Sequence, residues 1–516
     1  MSQSANPPEQ IDSHRVARGL GSTVLARMGA VVEIVAQPLY VLMFGLAGYG
    51  LYAVMWAAVN LIENIFDLGM TSAMQRTVPK SASDAEAAEA LRTALLLGVG
   101  PCILVAAIIS YFAHDIAPLL NVAEADEALV APAIQLFIWT LPLWAFVEIS
   151  TSALRARMVF GAEIRLRIVW EQIIRLVIAT LFFFGGLGLR GLFFAHIISL
   201  TITAILCVRL LQRYYKLSEL RHGNWWGNTA QHTFWAGISI LPSNVIARIF
   251  GDAPALILNF ILPGADGARA AGLFTIARKL SSVVQLVRIA FVYVMAPLAA
   301  SAERADRAQV KDIYSYAIRL ILAIAFPLAT VIAAGRSSIL SLFGDQAQVA
   351  QAAVTILVFA RAAEALFGIS VPVLQVIAAY KHQITASILG VIIASLAGWQ
   401  LIGPFDPLTG ITLAMAIGII VMAAIPMVQL ALTESLHPFD SRFPTVAAKV
   451  AAVSVTGGLA AMLASRLPDI IAIPVIAMIG ALCIWTSLRV SLPLEDRASL
   501  GKVARKLRLV PQGAES

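Results

Sequence analysis

The chain has 516 residues, 59% of them hydrophobic and only 13% charged, with a net charge of +7. Soluble domains carry about 25% charged and about 45–50% apolar residues. The composition therefore excludes a cytosolic enzyme, a nucleic-acid binder and a disordered scaffold, and it points to a polytopic membrane protein.

Residues 1–21 form a polar N-terminal segment with Arg15 and Arg18. The apolar stretch that follows runs to about Gly45, too long for the core of a cleavable signal, and reads as the first spanning helix. A span needs about 20 apolar residues. Fourteen segments meet that length: 22–45, 49–75, 91–113, 129–153, 168–187, 191–212, 233–262, 270–298, 313–335, 350–379, 383–403, 409–432, 446–465 and 470–491. Pro38, Pro142, Pro242, Pro327, Pro372 and Pro426 fall inside spans, which membrane bundles tolerate.

The loops alternate in charge. Twenty-five of the 37 Lys and Arg residues fall on the side of the N-terminus, whereas Arg190, Arg269, Arg336 and Arg466 are the four on the other side. The positive-inside rule then places both termini in the cytoplasm and requires an even number of spans. Gly50-Leu51-Tyr52 opens span two and Gly272-Leu273-Phe274 opens span eight, 222 residues later in a parallel direction. The expected organisation is an all-α protein of about 14 transmembrane helices. An N-lobe (22–212, spans one to six) is joined by a cytoplasmic linker (213–232) to a C-lobe (233–432, spans seven to twelve). Two further spans (446–491) and a basic cytoplasmic tail (492–516) follow.

Several chemistries lack their residues. There is no phosphate loop, HExxH or GxSxG, and Gly186-Leu187-Gly188-Leu189-Arg190-Gly191 sits between two spans, where it reads as a tight turn. Cys102, Cys207 and Cys483 lie in apolar runs without pairing motifs, and the seven histidines are scattered, so no metal site is expected. No soluble loop exceeds about 25 residues, which leaves little room for a catalytic domain.

Charges inside the spans carry the functional signal. A Lys, Arg or Asp at a helix centre costs about 2.5–3.5 kcal/mol on insertion scales. Arg27 and Arg319 lie near span ends and are expected to snorkel. The others form stripes at helical spacing. Span seven has Asn244, Arg248, Asp252 and Asn259, and span eight has Arg278, Ser281, Ser282 and Gln285 with Lys279 and Arg288 beside them. Span two has Asn60, Glu63, Asn64, Asp67 and Thr71, and span ten has Arg361, Glu364, Gly368 and Gln375. Span one has Glu33, Gln37 and Tyr40, and span five has Glu171 and Arg175.

Within single helices, Arg248 with Asp252, Glu171 with Arg175 and Arg361 with Glu364 are candidate ion pairs. Arg278, Lys279 and Arg288 have no acid within their own span, and such an excess of cations suits an anionic ligand. The candidate ligand residues are Asn244, Arg248, Arg278, Lys279, Gln285, Arg288 and Arg361. Glu33, Glu63, Asp67, Asp252 and Glu364 are candidates for coupling or gating, whether as counter-charges or as carriers of a proton or Na+.

Two segments carry a family signature. Gly48-Tyr49-Gly50-Leu51-Tyr52, followed by Phe66-Asp67-Leu68-Gly69-Met70 and Arg76, resembles the opening of the bacterial polysaccharide flippases (the Wzx, or polysaccharide transporter, family). Gly272-Leu273-Phe274 with Ala296-Pro297 resembles that family's eighth span, with Phe274 in place of the usual Tyr. The resemblance covers nearly the whole chain and implies a MATE- and peptidoglycan-flippase-like fold within the multidrug, oligosaccharidyl-lipid and polysaccharide exporter superfamily. It also implies alternating access around a central cavity in the inner membrane. The cargo it implies is an undecaprenyl pyrophosphate-linked oligosaccharide, on its way to O-antigen or exopolysaccharide. Polysaccharide polymerase and chain-length proteins are the partners it suggests, with no cofactor and no enzymatic activity. The rival readings are a cation-coupled drug exporter of the same fold, a membrane polymerase or ligase, and an envelope-synthesis scaffold. The Arg-rich first span of peptidoglycan-precursor flippases is missing.

Overall fold

The apolar segments fold into helices. A computed structural model describes residues 13–159, 166, 169–216, 218, 220, 225–302, 307–371, 373, 381–500 and 502–510, apart from the side chains of 13–34, 289–302, 307–310, 381–384 and 502–503. The described residues are predominantly helical, with no strand among them.

In chain order the helices run α1 (Ser13–Phe66), α2 (Met70–Thr77), α3 (Asp84–Tyr111), α4 (Glu127–Phe137), α5 (Thr140–Ala156), α6 (Glu171–Phe184), α7 (Leu189–Tyr214) and α8 (Asn228–Ile238). They continue as α9 (Leu241–Ile261), α10 (Gly264–Ala302), α11 (Arg307–Ala334), α12 (Gln351–Phe367), α13 (Lys381–Leu401), α14 (Pro407–Glu434), α15 (Phe443–Ala464), α16 (Asp469–Val490) and α17 (Leu494–Ala498).

Eleven stretches among the described residues are long and apolar enough to cross a bilayer. The other three segments read from the sequence have identifiable places. Segment 22–45 is the first part of α1, in which two helices meet at a kink at Gly45, whose φ of 72° favours glycine. Segment 168–187 gives α6, entered through a π turn at residues 169–170, and residues 167 and 168 lie outside the described residues. Segment 383–403 gives α13, whose described apolar run is Thr385–Leu401.

The chain divides into two units. The first takes the chain up to Phe44, then Ile62–Ala117 and Ala128–Leu241; the second takes Gly45–Leu61, Pro118–Glu127 and the chain from Pro242 onward. In the first unit α2, α3, α5 and α7 close over Met70, Met74, Leu91, Ala94, Ile149, Ala153 and Leu211. Alanines and glycines let these helices approach closely, as membrane packing requires.

In the second unit α11 packs against α12, α15 and α16, α10 against α12, and α13 against α14. Val331, Ala461, Ala472, Ile476 and Cys483 fill the contact of α11 with α15 and α16. The segment Pro118–Glu127 is fastened here by reciprocal amide bonds. Asn121 Nδ2 donates to the Asn259 carbonyl at 2.8 Å, and Asn259 Nδ2 donates to the Asn121 carbonyl at 2.6 Å.

Between α1 and α2 the Phe-Asp-Leu-Gly-Met motif makes a left-handed interruption. Leu68 (φ 51°) and Gly69 (φ 72°) leave the helix, and Asp67 accepts from the Gly69 N–H at 2.7 Å and the Thr71 N–H at 3.3 Å. The carboxylate thus replaces the helical acceptors that the break removes. A Cβ on Gly69 would stand 2.3 Å from the Gly237 carbonyl oxygen of α8.

Arg319 does not snorkel. Its side chain is 5% exposed, and its Nε and Nη2 donate to the two oxygens of Asp496 at 2.7 and 2.8 Å while Nη1 donates to Asp440. A planar guanidinium suits this bidentate arrangement, and carboxylates from the α14–α15 loop and α17 reach it where water does not. The side chain of Arg27 lies outside the description.

Candidate functional site

The second unit holds two groups of buried charge with the same plan, one carboxylate between two arginines. In the first, Asp252 of α9 is 2% exposed; its Oδ1 lies 3.1 Å from Arg278 Nη1 of α10 and its Oδ2 lies 3.9 Å from Arg248 Nη1. In the second, Glu364 of α12 is 5% exposed; its Oε1 lies 3.3 Å from Arg288 Nη2 of α10 and its Oε2 lies 2.6 Å from Arg361 Nη1.

The within-helix pairs follow from spacing, Arg248 to Asp252 at i,i+4 and Arg361 to Glu364 at i,i+3. The pairs between helices follow from α10 itself. Arg278, Ser281, Ser282, Gln285 and Arg288 recur every three or four residues, so one face of α10 meets both α9 and α12. Ten residues separate Arg278 from Arg288, which is about 15 Å along a helix. Gly251 and Gly368 lie beside these arginines. A Cβ on Gly251 would stand 3.5 Å from Arg278 Nη1, and one on Gly368 would stand 3.3 Å from Arg288 Cδ.

Four guanidiniums share two carboxylates, so each group keeps one positive charge. The Nε–H donors of Arg278, Arg288 and Arg361 are buried and meet no acceptor among the described residues. A buried donor left unmade costs about 1–3 kcal/mol, and an anion with several oxygens satisfies such donors best. Arg248, Arg278 and Arg288 are 38, 23 and 27% exposed, so each can be reached from outside the helices. Lys279 and Gln285 on α10 and Asn244 on α9 are half-buried; in sequence Lys279 adjoins Arg278, Gln285 is one turn from Arg288 and Asn244 one turn from Arg248. Gln375 lies outside the described residues.

The first unit holds acids of a different kind. Glu63, Asp67 and Glu148 are all buried. Glu63 Oε2 accepts from Asn64 Nδ2 at 2.9 Å, and Glu148 of α5 lies close enough to Asp67 to repel its charge. The stripes read from the sequence include Glu63 and Asp67 but not Glu148, which shares its helix face with Arg155 two turns later. Glu171 and Arg175 of α6 form a buried pair, with Arg175 Nε 3.4 Å from Ser199 Oγ of α7. The Glu33 side chain lies outside the description. Among the described residues no cluster of His, Cys, Asp and Glu could hold a metal ion.

A family model described as "Polysaccharide biosynthesis protein" matches residues 43–352. No curated protein matches the chain in sequence. Among solved structures, the lipid II flippase MurJ in its inward closed conformation is 12% identical with a TM-score of 0.67, over 90% of this chain and 98% of that one. An inward-facing multidrug resistance MATE family transporter of the MOP superfamily is 15% identical with a TM-score of 0.62, over 80% of this chain and 94% of that one. The Vibrio cholerae MATE transporter VcmN in its bent form is 14% identical with a TM-score of 0.52, over 81% and 98%. At these identities the likeness is one of fold.

Proposed function

The chain belongs to the polysaccharide biosynthesis protein family and has a MurJ- and MATE-like membrane fold, and from that premise we propose that it is a flippase for undecaprenyl pyrophosphate-linked oligosaccharides. In this reading it moves completed repeat units from the cytoplasmic to the outer leaflet of the inner membrane by alternating access, with both termini in the cytoplasm. The observation that carries the reading is the pair of acid-centred arginine groups with their buried, unmatched Nε–H donors.

The physical need is clear. Moving a pyrophosphate and several sugars through hydrocarbon strips water from charges and hydroxyls, each at a cost of several kcal/mol. Guanidiniums on α10 replace that water at the pyrophosphate, while the polyprenyl chain stays in lipid. Arg278 and Arg288 are the first ligands in this scheme, with Arg248, Arg361, Lys279, Gln285 and Asn244 as their surroundings. Asp252 and Glu364 keep the arginines compensated when no cargo is bound.

No cofactor and no bond-making step enters the cycle. A proton or Na+ gradient is the drive in this reading. Glu33, Glu63, Asp67, Asp252 and Glu364 are its candidate carriers; Asp67 accepts from backbone N–H groups, and Asp252 and Glu364 face guanidiniums.

Deletion of the gene, followed by leaflet-selective labelling of lipid-linked glycans in spheroplasts, tests the proposal. Completed repeat units trapped on the cytoplasmic face are the expected result. The buried acids Glu63, Asp67 and Glu148 and the MATE-like fold favour one other reading, a cation-coupled exporter. Normal glycan distribution with altered drug sensitivity would support that exporter. Unlinked units stranded on the outer face would indicate a polymerase or ligase.

A further inference from the structure

The segment after α16 is folded back on the second unit and presents cations in a fixed array. Asp496 is buried against Arg319, and Glu495 Oε2 lies 2.6 Å from Arg442 Nη1, so both acids of this segment are already paired. On either side of them Leu492, Ala504 and Leu509 are buried, 1–2% exposed. Trp485 Nε1 of α16 donates to the Leu507 carbonyl at 2.9 Å, and Arg497 Nη1 donates to the Leu509 carbonyl at 3.1 Å. The chain reverses at Arg508, whose φ is 53°, with the Leu509 N–H bonded to the Ala504 carbonyl. Glycine usually takes that left-handed position, and here an arginine takes it.

The anchors leave Arg505, Lys506 and Arg508 exposed together with Leu507, next to exposed Arg489 and Val490 at the end of α16. The Arg489 guanidinium lies 5.0 Å from the centre of the Trp485 ring. The end of a spanning helix is by necessity at a membrane surface, where Trp rings and basic side chains meet the headgroups. Four exposed cations (Arg489, Arg505, Lys506 and Arg508), three exposed apolar side chains (Val490, Leu494 and Leu507) and two acids that are both paired match an anionic bilayer surface in both charge and polarity.

We propose that residues 489–500 and 502–508 form a prefolded collar that binds the headgroups of anionic phospholipids, with Arg489, Arg505, Lys506 and Arg508 as the phosphate contacts and the Arg319–Asp496 pair as its anchor. The collar is independent of the cargo site on α9, α10 and α12. It differs from a flexible basic tail in one decisive way: its affinity depends on the anchor as well as on the charges.

The full-length protein in nanodiscs of phosphatidylcholine, alone or mixed with phosphatidylglycerol, provides the test through its thermal unfolding midpoint. Phosphatidylglycerol raises the midpoint of the wild type. R505Q/K506Q/R508Q, on the exposed surface, loses that shift, with lipid affinity falling about five-fold for each cation removed. D496N adds a net positive charge, so a flexible tail would bind phosphatidylglycerol more strongly, whereas a collar that has lost its anchor binds it more weakly. A full shift in the triple variant, or a larger one in D496N, overturns the proposal. Stabilisation of the wild type in neutral discs by soluble polyglutamate, to the same extent as by phosphatidylglycerol, would also overturn it, since the surface would then dock an acidic protein.

Discussion

Gly50 and Gly272 pack directly on each other: a Cβ on Gly272 would stand 3.2 Å from the Gly50 Cα, and one on Gly50 would stand 1.8 Å from the Ala268 carbonyl oxygen. These are the residues that open the two Gly-Leu-aromatic segments of the weak internal repeat. A glycine inside a helix ordinarily costs about 1 kcal/mol relative to alanine. Its presence at both positions is explained by the close approach of α1 and α10 that it allows.

Alanine should therefore have opposite effects at two helical glycines. Gly50→Ala should destabilise the protein by about 1–3 kcal/mol, because backbone must move to admit the methyl group. Gly100→Ala on α3, where a Cβ meets nothing within 4 Å, should be neutral or stabilising by up to about 1 kcal/mol. Unfolding midpoints in one detergent compare the two, and a stabilising Gly50→Ala would contradict the packing described here.

Asp67 offers a test of structural against coupling roles. Asn keeps an oxygen that accepts the Gly69 N–H, whereas Ala leaves the Gly69 and Thr71 donors unmatched at a cost of about 1–3 kcal/mol. The expected result is that Asp67→Asn retains transport and stability while Asp67→Ala loses stability. Loss of transport in a stable Asp67→Asn protein would make the carboxylate's charge essential and assign it to ion coupling.

Removing one partner from the Arg319–Asp496 pair should be far worse than removing both. Arg319→Leu strands Asp496 at about 3–5 kcal/mol, while Arg319→Leu with Asp496→Leu should recover much of that loss. A double-mutant cycle on unfolding free energy measures the coupling. Additive effects would show that the two residues act separately.

Much of this architecture is legible in the sequence, and the remainder is hidden for physical reasons. Arg248–Asp252 and Arg361–Glu364 are visible because helical spacing alone brings them together. Arg278–Asp252 and Arg288–Glu364 are not, because the acids lie on other helices and only the packing of α10 selects them. The same gap misled the reading of Arg319, whose acidic partners are 121 and 177 residues away. The Phe66–Met70 motif is recognisable as a pattern, yet nothing in its letters reveals that Leu68 as well as Gly69 takes a positive φ. Glu148 becomes notable only when α5 packs near Asp67. Gly251 and Gly368 are likewise silent until the arginines beside them are placed.

Arginine at 278 and 288 should resist conservative replacement. Lysine keeps the charge but loses the planar fork and its Nε–H donor. Arg278→Lys and Arg288→Lys should each reduce transport about ten-fold or more, corresponding to one lost charge-assisted hydrogen bond of about 1.5–3 kcal/mol. Initial flipping rates at equal protein levels provide the comparison, and wild-type rates in both variants would leave simple charge as the sole requirement.

The most direct test of the central claim is flipping of a fluorescent undecaprenyl pyrophosphate-linked oligosaccharide in proteoliposomes by the wild type and by Arg278→Ala/Arg288→Ala. The account predicts protein-dependent translocation by the wild type and its loss in the double variant, with the variant still folded by size-exclusion chromatography. Undiminished translocation by a folded double variant would contradict the assignment of the arginine groups to the cargo.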